Sequence, residues 1–380
     1  MKPSPTWDIF CNVVDNFGDI GVSWRLARQL AAEQGIKARL WLDDLPSLAK
    51  IWPSADPVAA SQTVSGVEVC QWTKPFPDVS PADVVIEAFG CQLPESYILA
   101  MAARKPAPVW VNLEYLSAET WVNGAHLGIS PHPRLPLEKY FFFPGFVAGT
   151  GGLLREASLL SDIRSFQQNA QAQAEFWNAI GLTMPLENEV RISLFGYENP
   201  GLVPLLSLWA DVDYPVTVLT FEGRMQEGLS EFLGEPVVTG RCYARGKLSI
   251  HVLPFLEQTQ YDRLLWACDC NFVRGEDSFV RAQWAAKPFI WHIYPQDEEA
   301  HWKKLGAFQD IFCSGLTSEA VEALRDFWQA WNQGKGAANA WTEYWCYQKE
   351  YAIHGRKWAE LLACQNDLTS QLVEFCKSKL

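Results

Sequence analysis

No long apolar run interrupts this chain of 380 residues. Its greasiest stretch, Tyr140-Phe141-Phe142-Phe143, stops at Pro144, far short of the ~20 residues needed to cross a bilayer. The opening residues, Met1 to Phe10, are polar and carry a proline pair, and they lack the apolar centre of a secretory signal. Basic charge is scarce as well: 31 Lys and Arg face 44 Asp and Glu, a formal charge of −13. An acidic surface repels phosphate backbones, so neither nucleic acid nor a membrane is an expected partner. The ten cysteines are scattered, and only Cys268 and Cys270 lie close, with one intervening residue that makes a poor metal claw. They read as reduced core thiols, which fits a cytoplasmic location. Repeats and low-complexity tracts are missing too. So are the Rossmann glycine spacing, the Gly-Lys-Ser/Thr of a Walker loop and the Gly-X-Ser-X-Gly of a serine nucleophile.

What the chain does contain is apolar material, 48% of its residues, enough for two buried cores. In the first half, strand-like runs alternate with helical ones. Trp7–Val14 reads as a buried strand, and Val22, Leu26 and Leu30 then follow a four-residue step suited to a helix packed on a sheet. Further strands are expected at Ala38–Leu42, Val67–Cys70, Asp83–Ile86 and Pro108–Asn112. After a helix at Ala170–Ile180 and a proline-containing linker at Gly181–Glu189, the alternation restarts. Its strands are expected at Val190–Phe195, Val216–Phe221, Leu248–Leu253, Asn271–Val273 and Phe289–Ile293, with a helix at Tyr261–Ala267. The tail from Glu319 is helical and rich in tryptophan (Trp328, Trp331, Trp341, Trp345, Trp358), read as packing anchors. The expectation is therefore two Rossmann-like α/β domains, 1–184 and 185–355, facing across a cleft, with a helical segment 356–380 returning to the first.

Two segments can carry chemistry. Asp15-Asn16-Phe17-Gly18-Asp19-Ile20-Gly21 sits between the first strand and the first helix, and its glycines suit a tight turn and close approach of a ligand. The alternative is that Asp19 caps the helix and Asp15 ends the strand. Arg274-Gly275-Glu276-Asp277-Ser278 follows a strand and precedes a helix, a place where free N–H groups and the helix dipole favour an anion. Arg274 can add a charge-assisted contact, Ser278 a hydroxyl, and Glu276 can hold ribose hydroxyls; capping by Asp277 or Ser278 is again the other reading. Phe195, Tyr197, Phe255 and Tyr261 follow strand ends of the second domain, where aromatic faces can hold a flat base and Gln258 can read its edge. Asp211-Val212-Asp213 reads as a loop rather than a metal clasp, Gly149–Gly152 as a flexible turn, and His292 with His301 as no metal pair.

Asp15 through Arg28, taken with Arg274 through Gln283, strongly resembles the bacterial elongation factor P arginine rhamnosyltransferases. His292 through Glu298 and Asn112 through Glu119 match that family as well, and the resemblance runs from about Ile9 to His301. It implies a GT-B fold and an inverting transfer of rhamnose from dTDP-β-L-rhamnose to an arginine of translation elongation factor P, with no metal. Carried over by position, Asp19 would be the catalytic carboxylate, Asp15 its support and Glu276 essential on the donor side. Arg274, Asp277 and Ser278 would surround the diphosphate and ribose. Phe195, Phe255, Gln258 and Tyr261 would form the base pocket, and Asn16, Phe17 and Gly18 would line the rhamnose site; Tyr197 and Gly275 are further substrate-binding candidates.

Overall fold

The structure, a computed structural model, describes residues 5–14, 17–296 and 299–380. It resolves into two compact units. The first runs to Ala157 and includes Leu362–Leu380; the second is Ser158–Leu361.

Eight strands form the sheet of the first unit: β1 (Thr6–Cys11), β2 (Lys37–Leu42), β3 (Ser61–Val64), β4 (Val67–Gln71), β5 (Val84–Ala88), β6 (Val109–Leu113), β7 (Ile129–Pro131) and β8 (Glu138–Phe142). Their order is β3-β4-β2-β1-β5-β6-β8-β7, parallel except for the two edge strands. Buried on both faces, β1 is nearly all apolar, as central parallel strands are. Asp8 is the exception, at 1% exposure. Its carboxylate is satisfied by a fork from Arg39 (2.6 and 2.8 Å), the Ala82 N–H and the Tyr97 hydroxyl, so a buried charge costs little here. Helices α1 (Gly18–Gln34), α2 (Leu45–Ile51), α3 (Glu95–Ala103) and α4 (Val122–Ala125) connect the strands. Val22, Leu26 and Leu30 of α1 are buried as their spacing predicts, and the left-handed Gly35 ends the helix.

The second unit begins with α5 (Leu159–Gln168) and α6 (Ala170–Ala179), both ahead of the division expected at residues 184/185. Phe166 of α5 packs on Trp266 (ring centroids 5.7 Å), which ties this helix to the later sheet's helices. Strands β9 (Val190–Leu194), β10 (Val216–Phe221), β11 (Cys242–Arg245), β12 (Leu248–Leu253), β13 (Cys270–Arg274) and β14 (Phe289–His292) order as β11-β12-β10-β9-β13-β14, parallel but for β11. Between and after them lie α7 (Leu202–Asp211), α8 (Gln226–Leu233), α9 (Gln258–Ala267), α10 (Asp277–Ala285), α11 (Ala300–Phe312), α12 (Ser318–Gln333), α13 (Ala337–Cys346) and α14 (Gln348–Ala363). All five tail tryptophans are buried. Trp331 sits edge-on to Phe272 at 4.8 Å, and Trp358 donates to Gln283 Oε1 at 2.8 Å, which fits the packing role.

After α14, α15 (Leu368–Lys377) belongs with the first unit. A buried network holds it there: Thr369 donates to Gln29 Oε1 (2.7 Å), and Gln29 donates to Asp367 (3.1 Å) and to the Arg155 carbonyl (2.9 Å). Every described helix is too short or too polar to cross a membrane.

Candidate functional site

The site residues fall in two groups, one in each unit, and each is built by strand ends.

In the first unit the chain leaves β1 at Cys11 and enters α1 at Gly18. Asp15 and Asn16 lie outside the described residues. Phe17, half-buried, occupies the N-cap position, and no side chain caps there. Asp19 therefore does not act as the cap residue. It sits in the first turn at 2% exposure, where its Oδ2 accepts the Val14 N–H at 2.9 Å. That places a carboxylate in the favourable field of a helix N-terminus. Gly18 opens the helix and Gly21 lies inside it, donating to the Phe17 carbonyl at 3.0 Å. The expected tight turn at these glycines is thus the start of a helix, and neither has a left-handed backbone.

A second feature of this edge was not legible in the sequence. Just past β5, Phe89, Gly90 and Gln92 have φ of 57, 65 and 55°. A bulky residue held left-handed costs on the order of 1–3 kcal/mol and persists only where its surroundings enforce it. Here the Phe89 N–H donates to the Leu113 carbonyl (2.7 Å), Gly90 N–H to Asn112 Oδ1 (3.1 Å) and Gln92 N–H to Glu87 Oε1 (3.0 Å). The Phe89 ring stacks on Tyr115, with centroids 4.5 Å apart and planes at 20°.

In the second unit, β13 ends at Arg274 and α10 starts at Asp277. Gly275, at φ 60°, makes the left-handed step between them, and Glu276 is the N-cap residue without a side-chain cap. Trp291 Nε1 donates to the Gly275 carbonyl at 3.0 Å and holds the turn from β14. Ser278, expected beside a diphosphate, uses its hydroxyl inside the turn: it donates to the Arg274 carbonyl and accepts the Arg274 N–H at 3.2 Å. The predicted cap by Asp277 or Ser278 is absent in its usual form. Arg274, 7% exposed, lies over the rings of Phe195 (4.5 Å) and Tyr197 (4.8 Å). Gln258, 4% exposed, donates to Asp277 Oδ2 at 3.0 Å, and the Asp262–Arg281 pair (2.7 Å) locks α9 against α10 behind it.

Around this turn the structure gathers the expected aromatics and adds others. Phe195 meets Tyr261 at 5.7 Å and Phe221 at 5.9 Å, while Phe221 meets Phe255 at 6.1 Å. Phe221, the last residue of β10, thus joins rings that are far apart in sequence. Burial pushes the Tyr261 hydroxyl well above its ordinary range. His292 was likewise passed over, yet its Nδ1 accepts the Tyr197 N–H at 3.2 Å. Burial, with the nearby Arg274 charge second, pushes its pKa down to about 3, so the ring is neutral and holds the Tyr197 backbone as an acceptor. It stands opposite Arg274 in the β13–β14 register, a pairing that no local sequence pattern signals.

The family described as elongation factor P (EF-P) rhamnosyltransferase EarP matches residues 7–377. A protein-arginine rhamnosyltransferase from Pseudomonas putida is 51% identical over 376 residues, covering 99% of each chain. Those of Pseudomonas aeruginosa and Neisseria meningitidis are 49% and 35% identical over 97% and 98% of this chain, and 98% and 97% of their own. A solved structure described as the structural basis for EarP-mediated arginine glycosylation of translation elongation factor EF-P aligns with a TM-score of 0.71 at 38% identity, covering 99% of this chain and all of that one. A UDP-glucosyltransferase from Polygonum tinctorium aligns at 0.54 with 8% identity over 99% of this chain and 98% of its own, a likeness of fold alone. The fold is the α/β fold of GT-B glycosyltransferases, and the chain belongs to the EarP family of elongation factor P rhamnosyltransferases.

Proposed function

We propose that this chain transfers L-rhamnose from dTDP-β-L-rhamnose, with inversion, to an arginine of translation elongation factor P. The observation that carries the reading is the 51% identity over 99% of the chain to a protein-arginine rhamnosyltransferase. The local chemistry supports it. The second-unit turn combines a helix N-terminus with Arg274, a charge pair suited to a diphosphate leaving group without calling on a metal. Phe195, Tyr197, Phe255 and Tyr261 offer faces for thymine, Gln258 and Asp277 polar edges, and Glu276 an acceptor for sugar hydroxyls.

A guanidinium has a pKa above ~12 and does not attack as it stands. Asp19, supported by Asp15, grips it, orients one nitrogen and takes its proton as that nitrogen bonds to the anomeric carbon. The C1–O bond breaks on the opposite face, and dTDP departs with the electron pair. Phe17 and Gly18, with Asn16, line the rhamnose side. The test is to mix the protein with dTDP-rhamnose and elongation factor P and map the mass of the factor. One deoxyhexose on an arginine, formed equally with and without chelator, is expected. Modification from another nucleotide sugar alone, or binding without any mass gain, would overturn the reading.

A further inference from the structure

The segment Asn112–Glu119, which spans the end of β6 and the chain beyond it, lies within the part of the chain that matches the family. Its first residues close on the strained turn after β5. Asn112, buried, uses both ends of its amide: Oδ1 accepts the Gly90 N–H, and Nδ2 donates to Glu114 Oε1. Next to Glu114, Tyr115 stacks on the left-handed Phe89. The neighbouring Glu87 is already held by Lys139 (3.0 Å) and Trp110 Nε1 (3.1 Å). The ends of β5 and β6 thus combine an oriented carboxylate, half-buried, with a stacked pair of rings. In the sheet, β5 alone separates β6 from β1, and the chain leaving β1 binds Asp19 through the Val14 N–H. Two strand spacings amount to ~10 Å.

We infer that Glu114, with the Phe89–Tyr115 stack, is a specificity determinant for the acceptor side chain and selects arginine over lysine. A guanidinium is flat, lies on a ring face and gives two parallel N–H bonds to one carboxylate; an ammonium offers neither the plane nor the fork. In this arrangement Asn112 fixes Glu114, Glu114 holds the nitrogens that do not react, and Asp19 meets the one that does. The inference rests on the arginine-acceptor reading above.

The test compares wild type, Glu114→Gln and Glu114→Asp in steady-state transfer to elongation factor P, varying acceptor and donor separately. Glu114→Gln is expected to raise the acceptor KM by about tenfold or more, leave the donor KM within about twofold, and leave thermal unfolding nearly unchanged. Glu114→Asp, which keeps the charge, should recover part of the loss. Should Glu114→Gln not fold, Tyr115→Leu removes the ring face instead and should move the same constant. An acceptor KM that stays within about twofold in an active variant overturns this inference alone, whereas no transfer by the wild type overturns the transferase reading with it.

Discussion

The guanidinium of Arg274 lies over the Phe195 ring, 4.5 Å from its centroid, at the point where β13 gives way to the turn before α10. The same cation is 4.8 Å from the Tyr197 centroid, so two aromatic faces hold it in one orientation next to a helix N-terminus. A planar cation fixed in this way presents its edge to a ligand, which a lysine ammonium on a flexible stem does not.

Arg274→Lys is therefore expected to weaken dTDP binding by about tenfold or more even though the charge is kept. Calorimetric titration with dTDP checks it; affinity within about twofold of wild type would show that charge alone suffices.

Phe255 meets the aromatic group at Phe221, 6.1 Å between centroids, and is half-buried, which leaves ring surface for a base. Phe255→Ala should weaken dTDP binding by a factor of about ten, the scale of one lost base–aromatic stack. Unchanged dTDP affinity would remove Phe255 from the base pocket.

His292 gives a pH signature. Its folded pKa, about 3, lies below the ordinary value of 6.5, so the unfolded chain binds the proton more readily. The contribution is complete above about pH 6.5 and is lost progressively as pH falls toward 3, at a slope of at most about 1.4 kcal/mol per pH unit. His292→Asn places an amide oxygen near the Nδ1 position and cannot take up that proton. Urea unfolding at pH 7 and pH 5 should show the wild type losing more stability than the variant over that interval. Equal losses would mean that His292 titrates normally.

Much of this fold was legible because its central strands are buried on both faces. Val216–Phe221 and Leu248–Leu253 are observed with the predicted ends: the first is buried throughout and the second at every apolar position. Edge strands have no such signature. Ser61–Val64 is mostly exposed or half-exposed and Ile129–Pro131 wholly exposed, and neither was foreseen. Glu138–Phe142 was noticed only as a greasy run. At the candidate site, Arg274, Gly275 and the start of α10 were readable from the order strand, glycine, helix. What was not readable depends on pairing between distant strands. His292 matters because β14 lies beside β13, and Phe89 is left-handed because Leu113 and Asn112 hold it there. No local pattern encodes either relationship.

The central claim is tested most directly at Asp19, which is buried in the first turn of α1 with one oxygen on the Val14 N–H. Wild type and Asp19→Asn are each incubated with dTDP-rhamnose and elongation factor P, the factor is weighed, and dTDP affinity is measured on the same preparations. The account predicts a single deoxyhexose on the factor with wild type, none with Asp19→Asn, and the same dTDP affinity for both. Residual transfer by Asp19→Asn together with a collapse in dTDP affinity would contradict it.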